Sequence, residues 1–294
     1  MSEAQEFKYI GQRTIRPDGF DKVTGRAAYG ADLTLPGMIW GKTLRSPHAH
    51  AKILSIDTSK AEAHPDVMSV ATFKDFVTLQ SESIAGGEGA ADVLDIARNC
   101  LADEKVLYHG HAIAAIAAKT EKAAKDALSL IEVNYELLPP VMDAEEAMKE
   151  DSPVLHNDMY TTGYDETPSK ASNIANRVEM KMGDVDAGFA DADVIVEREF
   201  RTPTAHQGYI EPHACTVTYD ENGQSMVWCS TQGHFDVRTA TAKVLGMELG
   251  KLKVIASEIG GGFGGKTVIY QEPVALVLSK KSGRPVKMVM DRDE

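Results

Sequence analysis

A glycine-rich stretch, GGGFGGKT at residues 260–267, constrains the fold of this chain more than any other feature. It follows the apolar run LKVIASEI at residues 252–259, and a strand is predicted over residues 251–258. It precedes VIYQEPVALVLSKKSG, which predicts a helix over residues 269–282. Glycine allows a backbone to turn sharply and to approach another group closely. Such a loop between a strand and a helix is typical of α/β proteins and of anion sites at helix amino termini.

The same stretch satisfies the P-loop pattern G-x-x-x-x-G-K-[ST] at Gly260, Gly265, Lys266 and Thr267. In a P-loop NTPase, Lys266 would contact the phosphates and Thr267 would contact Mg²⁺. The run PVKMVMD, which ends at Asp291, resembles a Walker B strand, but it lies only one helix beyond the loop. From the motif alone, Lys266 either meets a phosphate or is solvated, and a P-loop NTPase stays a hypothesis.

Length and composition bound the class of protein. A chain of 294 residues is long enough for two domains. Its net charge of −13, spread along the chain, disfavours nucleic acid and anionic membranes as partners. The first residues carry charges where a signal peptide needs an apolar core, and the longest apolar run, residues 112–118, is too short to span a bilayer. A cytoplasmic location is therefore expected.

The three cysteines are widely spaced and include no C-x-x-C pair. This spacing argues against a disulfide framework, a Cys-rich zinc site and an iron–sulfur cluster held wholly within this chain.

Turn-rich and apolar segments divide the chain into two predicted domains of mixed α/β (α+β) class. Residues 1–19 are expected to form an extended entry segment, and residues 20–142 a first domain. Residues 143–178 shift to Asp, Ser, Thr, Asn and Pro, which is typical of a linker. Residues 179–294 form the second predicted domain.

Hydrophobic periodicity gives the elements within these domains. Residues 38–56 predict two strands in a hairpin-like region around Pro47, and residues 112–136 predict a β-α-β-like unit. Residues 78–102 have turn composition, which predicts a surface loop. The second domain is predicted to contain helices at 185–190, 235–245 and 269–282, and strands at 194–200, 214–219, 225–230, 251–258 and 286–290.

Several segments, in this order, together resemble a known family: GRAAYGADLTLPGMIWGKTLRSPHAHAKILSIDTS, EKVLYHGHAIAAIAA, IEVNYE, HQGYIEPHACTVTYD, STQGHF, EIGGGFGGK and GRPVKMVMDRDE. They are similar to the molybdenum-binding subunit of the xanthine dehydrogenase and aldehyde oxidase family, and they cover nearly the whole chain. The resemblance implies an amino-terminal α/β hammerhead domain followed by the first part of a molybdopterin-binding domain.

The resemblance also implies a role for the glycine loop. Backbone amides at Gly262, Phe263 and Gly264 are expected to face the oxygen ligands of molybdenum in molybdopterin, the molybdenum cofactor. The Gln232 amide is expected to hydrogen-bond one of these oxygens, and no residue of this chain is expected to ligate the metal directly. In purine-oxidising members a glutamate follows the loop lysine and contacts the substrate. Thr267 stands at that position, so the resemblance implies a substrate-pocket role for Thr267 but does not carry purine specificity over to this chain, and the substrate stays open.

A further implication concerns partners. The active-site glutamate of the family lies far toward the carboxyl end of a longer subunit, and no residue of this sequence matches it. The chain is therefore expected to be a fragment or one half of a split subunit, and to be inactive alone. The implied partners are the remaining carboxyl-terminal part of the subunit, an iron–sulfur subunit, an FAD subunit and a small-molecule substrate.

Two other groups of residues have functional and structural interpretations. His48 with His50, and His109 with His111, alternate so that each pair is expected on one strand face, where packing is favoured over metal ligation.

Glu211 and His213 in YIEPHA suggest an acid/base pair. The resemblance favours instead a structural segment close to the cofactor.

The favoured hypothesis is the molybdopterin-binding portion of a molybdenum hydroxylase. Such an enzyme oxidises an aldehyde, an N-heterocycle or a related substrate with water-derived oxygen. Related members reduce an aromatic acyl-CoA ester, so the direction of the reaction stays open. The alternatives are the P-loop NTPase and a non-catalytic assembly module of an oxidoreductase complex.

Overall fold

A computed structural model of the chain describes residues 7–77, 79–86, 89–166 and 168–294. The first six residues of the predicted entry segment, and residues 78, 87 and 88 of the predicted surface loop, lie outside this description. So does residue 167 of the predicted linker. The strands are β1 (Ile39–Arg45), β2 (Ala51–Asp57), β3 (Val67–Thr72), β4 (Ser83–Gly86), β5 (Gly89–Asp92), β6 (Lys105–Val106), β7 (Ala112–Ala118), β8 (Glu132–Leu137), β9 (Ala214–Thr218), β10 (Ser225–Cys229), β11 (Leu252–Ala256) and β12 (Val286–Val289). The α-helices are α1 (Gly19–Thr24), α2 (Ser59–Glu62), α3 (Val93–Cys100), α4 (Glu121–Leu128), α5 (Ala144–Ala147), α6 (Val185–Ala190), α7 (His234–Val244) and α8 (Glu272–Ser282).

One seven-stranded sheet joins the two halves of the sequence. Its strand order is β11-β10-β9-β12-β1-β7-β3, so strands from residues 39–118 continue directly into strands from residues 214–289. The junction is the parallel pair of β1 and β12, in which Gly41 lies opposite Met288. Because backbone hydrogen bonds cross this junction, the two halves share one sheet.

The core is built on the alanine-rich strand β7 and the helix α8. Every residue of β7, AIAAIAA, is buried, since both faces of the strand are covered. The helix α8 packs on β3, β9 and β12, and its first eight residues are buried. A Pro at the start of α8 and the left-handed Gly283 after its end are typical helix boundaries.

A smaller sheet, in the order β6-β2-β8, lies beside the large one. The strands β1 and β2 belong to different sheets, so the prediction of a hairpin-like region around Pro47 is wrong. The strands β7 and β8 also belong to different sheets, so the β-α-β-like unit predicted over residues 112–136 does not lie within one sheet. The helix between them is confirmed, since Thr120 Oγ1 accepts the N–H of Ala123 (3.1 Å) as a cap.

The predicted loop at residues 78–102 contains regular structure. The short strands β4 and β5 pair there, and helix α3 begins after Asp92, whose carboxylate accepts the N–H of Leu94 (2.8 Å). Val93, Ala97 and Cys100 are buried on one face of this helix. Their helical spacing was the signal for a helix, and the glycine-rich turn before it obscured that signal.

The strand predicted at residues 194–200 is absent from the structure in the part of the chain it describes. Residues 177–208 contain only α6 as regular structure, and every side chain of this stretch is exposed. Its sequence is typical of a strand, but a strand also needs a neighbour with which to exchange hydrogen bonds. The predicted helix 269–282 begins at Glu272 instead.

Across the described ranges, no helix combines the length and the apolar composition needed to cross a bilayer.

Candidate functional site

The glycine loop links β11 to α8, but it does not lead directly into the helix. Lys266 and Thr267 lie five residues or more before α8 begins at Glu272. The Thr267 hydroxyl donates to the carbonyl of Gly264 (3.0 Å). A P-loop places its lysine and hydroxyl residues at the first turn of the helix, where free N–H groups face the phosphates. This connection has a different geometry.

The loop contains three residues with left-handed backbone angles. The φ angles are +98° at Gly261, +50° at Phe263 and +90° at Gly264. A non-glycine residue rarely adopts such an angle, so the backbone at Phe263 is strained. The Phe263 side chain is 73% exposed, and a Cβ atom placed on Gly264 would meet no other atom within 4 Å. Open space therefore adjoins the Phe-Gly step.

Gln232 holds this part of the loop from the side. Its Oε1 accepts the N–H of Gly264 (3.0 Å) and the N–H of Lys266 (3.2 Å), and its own backbone N–H donates to the Lys266 carbonyl (2.9 Å). A Cβ atom on Gly262 would lie 2.4 Å from Oε1 of Gln232, so this close contact requires glycine. Among the described residues, Nε2 of Gln232 has no acceptor, which leaves its two N–H donors available.

Lys266 is buried and ion-paired, a position that matches neither of the two roles that the motif left open for it, a phosphate contact or solvation. It is only 1% exposed, and its Nζ forms an ion pair with Oε2 of Glu211 at 2.7 Å. The Tyr209 ring lies 5.1 Å from the ammonium, within the range of a cation–π contact. Nothing in the sequence spacing pairs Glu211 with Lys266, because the two lie 55 residues apart.

Glu211 anchors three segments of the chain at once. Besides Lys266, its Oε2 accepts the N–H of Gly260 (2.6 Å) and its Oε1 accepts the N–H of Gly30 (3.2 Å). A Cβ atom on Gly260 would come within 2.6 Å of Cβ of Glu211. The carboxylate therefore fixes the start of the glycine loop against the amino-terminal part of the chain. The sequence placed this residue in a segment near the cofactor but did not reveal this role.

His213 is held in a neutral state beside this ion pair. Burial, followed by the nearby Lys266 charge, lowers the pKa of His213 to about 4. Its Nε2 lies 3.0 Å from the Tyr209 hydroxyl, and its ring contacts the ring of Tyr270 edge to face. Within the part of the chain that the structure describes, Glu211 and His213 share no hydrogen bond. Their geometry is that of a packed anchor and not of an acid/base pair.

The two other histidine pairs do not lie on strand faces. His48 and His50 occupy the connection between β1 and β2, and His109 and His111 precede β7. The Nδ1–H of His50 donates to the Pro139 carbonyl (2.7 Å). The described residues include no group of three or more His, Cys, Asp or Glu side chains placed to hold a metal ion.

Asp291 at the end of β12 joins the two halves of the chain. It forms ion pairs with Lys42 of β1 (3.1 Å) and with Lys125 of α4 (2.9 Å). The buried Nζ of Lys42 also donates to the Val289 carbonyl (2.7 Å). Asp291 therefore has a structural role and is not a Walker B acid at a nucleotide site.

The exposed face of the loop suits an anionic cofactor with oxygen acceptors. Among the described residues the N–H of Phe263 has no acceptor, and Nε2 of Gln232 is free as well. The N–H of Gly264 is already bonded to Gln232. Backbone and amide donors beside an open glycine position can receive oxygen atoms without becoming metal ligands.

Two family models match the chain and together span most of it. One is described as the aldehyde oxidase and xanthine dehydrogenase a/b hammerhead domain, over residues 24–139. The other is described as the molybdopterin cofactor-binding domain, over residues 165–294.

The chain is also similar to several proteins that are named as dehydrogenases or oxidoreductases. The chain is 36% identical over 298 residues to the carbon monoxide dehydrogenase large chain of Afipia carboxidovorans, a match that covers 99% of this chain and 36% of that protein. It is 33% identical to the nicotinate dehydrogenase large molybdopterin subunit of Eubacterium barkeri, covering 99% of this chain and 63% of that protein. Among solved structures, quinoline 2-oxidoreductase from Pseudomonas putida 86 matches with a TM-score of 0.80 at 30% identity, over 98% of this chain and 35% of that one.

The chain therefore belongs to the xanthine dehydrogenase and aldehyde oxidase family of molybdenum enzymes, as the sequence predicted. The predicted fold class is also confirmed, with a hammerhead domain followed by a molybdopterin cofactor-binding domain. The chain spans about a third of the length of the carbon monoxide dehydrogenase relative. The P-loop NTPase and the assembly module are not supported by these comparisons.

Proposed function

We propose that this chain contributes part of the molybdopterin site of a molybdenum hydroxylase that oxidises an aldehyde, an N-heterocycle or a related substrate. The observation that carries the proposal is the glycine loop with its open Phe-Gly step, fixed by Gln232, within the residues that match the cofactor-binding model. When bound, the cofactor supplies the oxidation chemistry, and the protein supplies binding, orientation and electrostatics.

In this proposal each residue of the loop has a distinct task. Gln232 uses Oε1 to hold the loop and Nε2 to donate to an oxygen of the cofactor. The N–H of Phe263 provides a second donor. Gly262 and Gly264 keep the backbone free of side chains where Gln232 and the cofactor approach. No residue of this chain binds the metal directly.

Thr267 is proposed to border the substrate pocket. It follows the buried Lys266, and its hydroxyl closes the loop on the Gly264 carbonyl. The named relatives include carbon monoxide and nicotinate dehydrogenases and a quinoline oxidoreductase, so the similarity supports a class of enzyme and leaves the substrate open.

The proposal includes partners outside this chain. The coverage of about a third of a relative's length supports a remaining part of the molybdenum subunit, which would provide the catalytic glutamate. One relative is the gamma component of a 6-hydroxypseudooxynicotine dehydrogenase complex from Paenarthrobacter nicotinovorans, which supports a multisubunit assembly. We extend this to iron–sulfur and FAD subunits, because the oxidation releases electrons that must reach an acceptor. The same proposal keeps residues 20–142 and 179–294 as the two predicted units, which contribute strands to one shared sheet.

The test is the molybdenum content of the native complex that contains this chain. We expect near-stoichiometric molybdenum by mass-spectrometric metal analysis. The substitution Gln232→Glu keeps an oxygen acceptor for the loop but removes both N–H donors and adds a negative charge. We therefore expect it to lower the molybdenum content roughly tenfold, on the scale of losses at groups that orient a metal site.

Gln224→Glu is the matched control, because this glutamine lies in the exposed turn before β10 and, among the described residues, donates only to the Gly250 carbonyl (2.9 Å). Full molybdenum content is expected in this variant. Absence of molybdenum from the unmodified complex, in cells that make active molybdenum enzymes, would contradict the proposal.

A further inference from the structure

A long stretch of this chain exposes apolar side chains and has no strand partner within the described residues. Residues 177–208 are exposed throughout, although they include many large apolar side chains. Met182 is 96% exposed and Phe200 is 86% exposed. Contiguous exposed apolar residues on a folded protein mark surfaces that bind another polypeptide.

Two parts of this stretch have the alternating pattern of a half-buried strand. In residues 178–182, VEMKM, apolar residues alternate with charged ones. In residues 194–200, VIVEREF, one face holds Val194, Val196 and Phe200 together with Arg198, and the other holds Glu197 and Glu199 together with Ile195. We call these two parts the unpaired strand segments.

The backbone of both segments also has no strand partner among the described residues. In the described structure neither segment makes a backbone–backbone hydrogen bond, and neither belongs to a sheet. The ends of the stretch are fixed, since the N–H of Arg177 donates to the Thr162 carbonyl (2.9 Å) and Tyr209 is buried. Extended backbone with free donors and acceptors and an apolar face is suited to pairing with strands of another polypeptide.

The comparison with a solved chain indicates which polypeptide this is. The match to quinoline 2-oxidoreductase covers 98% of this chain, so an internal stretch of this length falls within it, yet it covers only 35% of that solved chain. In that solved protein the same polypeptide therefore supplies much further structure beyond the part that matches this chain.

We infer that the unpaired strand segments are the docking surface for the remaining part of the molybdenum subunit, which adds strands to them and covers their apolar face. This inference rests on the proposed function, because the proposed function includes a remaining part of the molybdenum subunit outside this chain. A second copy of this chain and the iron–sulfur or FAD subunit are the competing occupants.

Hydrogen–deuterium exchange on the assembled native complex tests the docking surface. We expect amides in both segments to exchange at least about 100-fold more slowly than in an unstructured peptide, since strand hydrogen bonds protect amides. Exchange at the unstructured rate in the assembled complex would overturn the inference. In the same complex, an amine-reactive cross-linker on the exposed Lys181 should reach residues of the molybdenum subunit outside this chain. Cross-links only to a second copy, or only to an electron-transfer subunit, would assign the surface to that competitor.

A pair of substitutions separates docking from folding. Val196→Asp places a charge on the apolar face and should reduce the protection of residues 194–200 at least about tenfold in the complex, since a carboxylate is costly to bury. Thr202→Asp adds the same charge beyond the segment and should leave that protection unchanged. Neither should shift the unfolding midpoint of the chain alone. A shift with Val196→Asp would show that the segment packs within this chain and would overturn the inference.

Molybdenum analysis of the same preparation separates the two proposals. Protected segments without molybdenum would retain the docking surface and remove the cofactor role. Molybdenum with unprotected segments would retain the cofactor role and remove the docking surface.

Discussion

The ion pair of Lys266 and Glu211 shows how burial changes what a charged residue does. Glu211→Gln would leave the Lys266 ammonium buried without its counter-charge, and breaking a buried pair in this way costs about 3–5 kcal/mol of unfolding free energy. Chemical denaturation monitored by circular dichroism measures this loss. Glu132→Gln is the control, because it removes one partner of the exposed pair with Lys60, and it should leave the midpoint nearly unchanged. Equal losses in both variants would contradict a special role for the buried pair.

His213 makes the unfolding free energy of the chain depend on pH. An ordinary histidine pKa is 6.5, whereas burial and Lys266 lower the pKa of His213 to about 4. Between these values the unfolded chain binds a proton that the folded chain does not, so stability falls as the pH drops from about 6.5 toward 4. The loss reaches at most about 3–4 kcal/mol at the acidic end.

The measurement is the urea unfolding free energy of the unmodified chain and of His213→Phe at several pH values. The phenylalanine variant should lose less stability than the unmodified chain between about pH 6.5 and pH 4. Above about pH 7 the difference between the two proteins should be constant, because His213 is neutral in both folded and unfolded states. Parallel curves through the acidic range would contradict the lowered pKa.

At the scale of elements, the glycine loop depends on a contact that only glycine permits. Gly262→Ala would place a Cβ atom 2.4 Å from Oε1 of Gln232, so the glutamine must move and its bonds to the loop must weaken. We expect about 1–3 kcal/mol of destabilisation, as for other overpacked sites, together with faster exchange of the Gly264 and Lys266 amides.

The double variant with Gln232→Ala tests this contact directly. The cost of Gly262→Ala should be much smaller when the glutamine is absent, because the clashing atom has been removed. Gly188→Ala in α6 is the control, since a Cβ atom there meets nothing within 4 Å. Additive effects of the two substitutions would show that the contact does not constrain the loop.

Elements could be predicted from local pattern when their partners lie in the chain. The strands β9, β10 and β11 and the helix α7 lie close to their predicted positions, since alternating or helical spacing of apolar residues matches the face that each buries. Residues 194–200 have the same kind of pattern but form no strand here. The spacing of apolar residues indicates which face a segment would bury. Whether a strand forms depends on hydrogen-bond pairing with a neighbouring strand.

At the scale of the whole molecule, the shared sheet predicts cooperative unfolding. Gly41 of β1 lies opposite Met288 of β12, and a Cβ atom at Gly41 would come within 2.6 Å of Cγ of Met288. We expect a single calorimetric transition, because neither half closes the sheet alone. Gly41→Ala should shift that single transition to lower temperature as a whole, because it reduces the unfolding free energy by about 1–3 kcal/mol, the usual cost of overpacking a core.

Gly250→Ala is the control, because a Cβ atom there meets nothing within 4 Å and the glycine has no left-handed angle. Two separate transitions, of which Gly41→Ala shifts only one, would show that the halves fold independently.

The sequence by itself determined the family, the fold class and the place of the glycine loop, because these depend on motifs and on periodic burial that local residues encode. The tertiary structure alone decided what Lys266, Glu211 and Asp291 do, since their partners lie 49 or more residues away along the chain. It also decided that β1 pairs with β12 and that β2 joins another sheet. The physical reason is that a charge or a strand edge acquires its role from whatever the folded chain places against it, and sequence spacing does not record that neighbour.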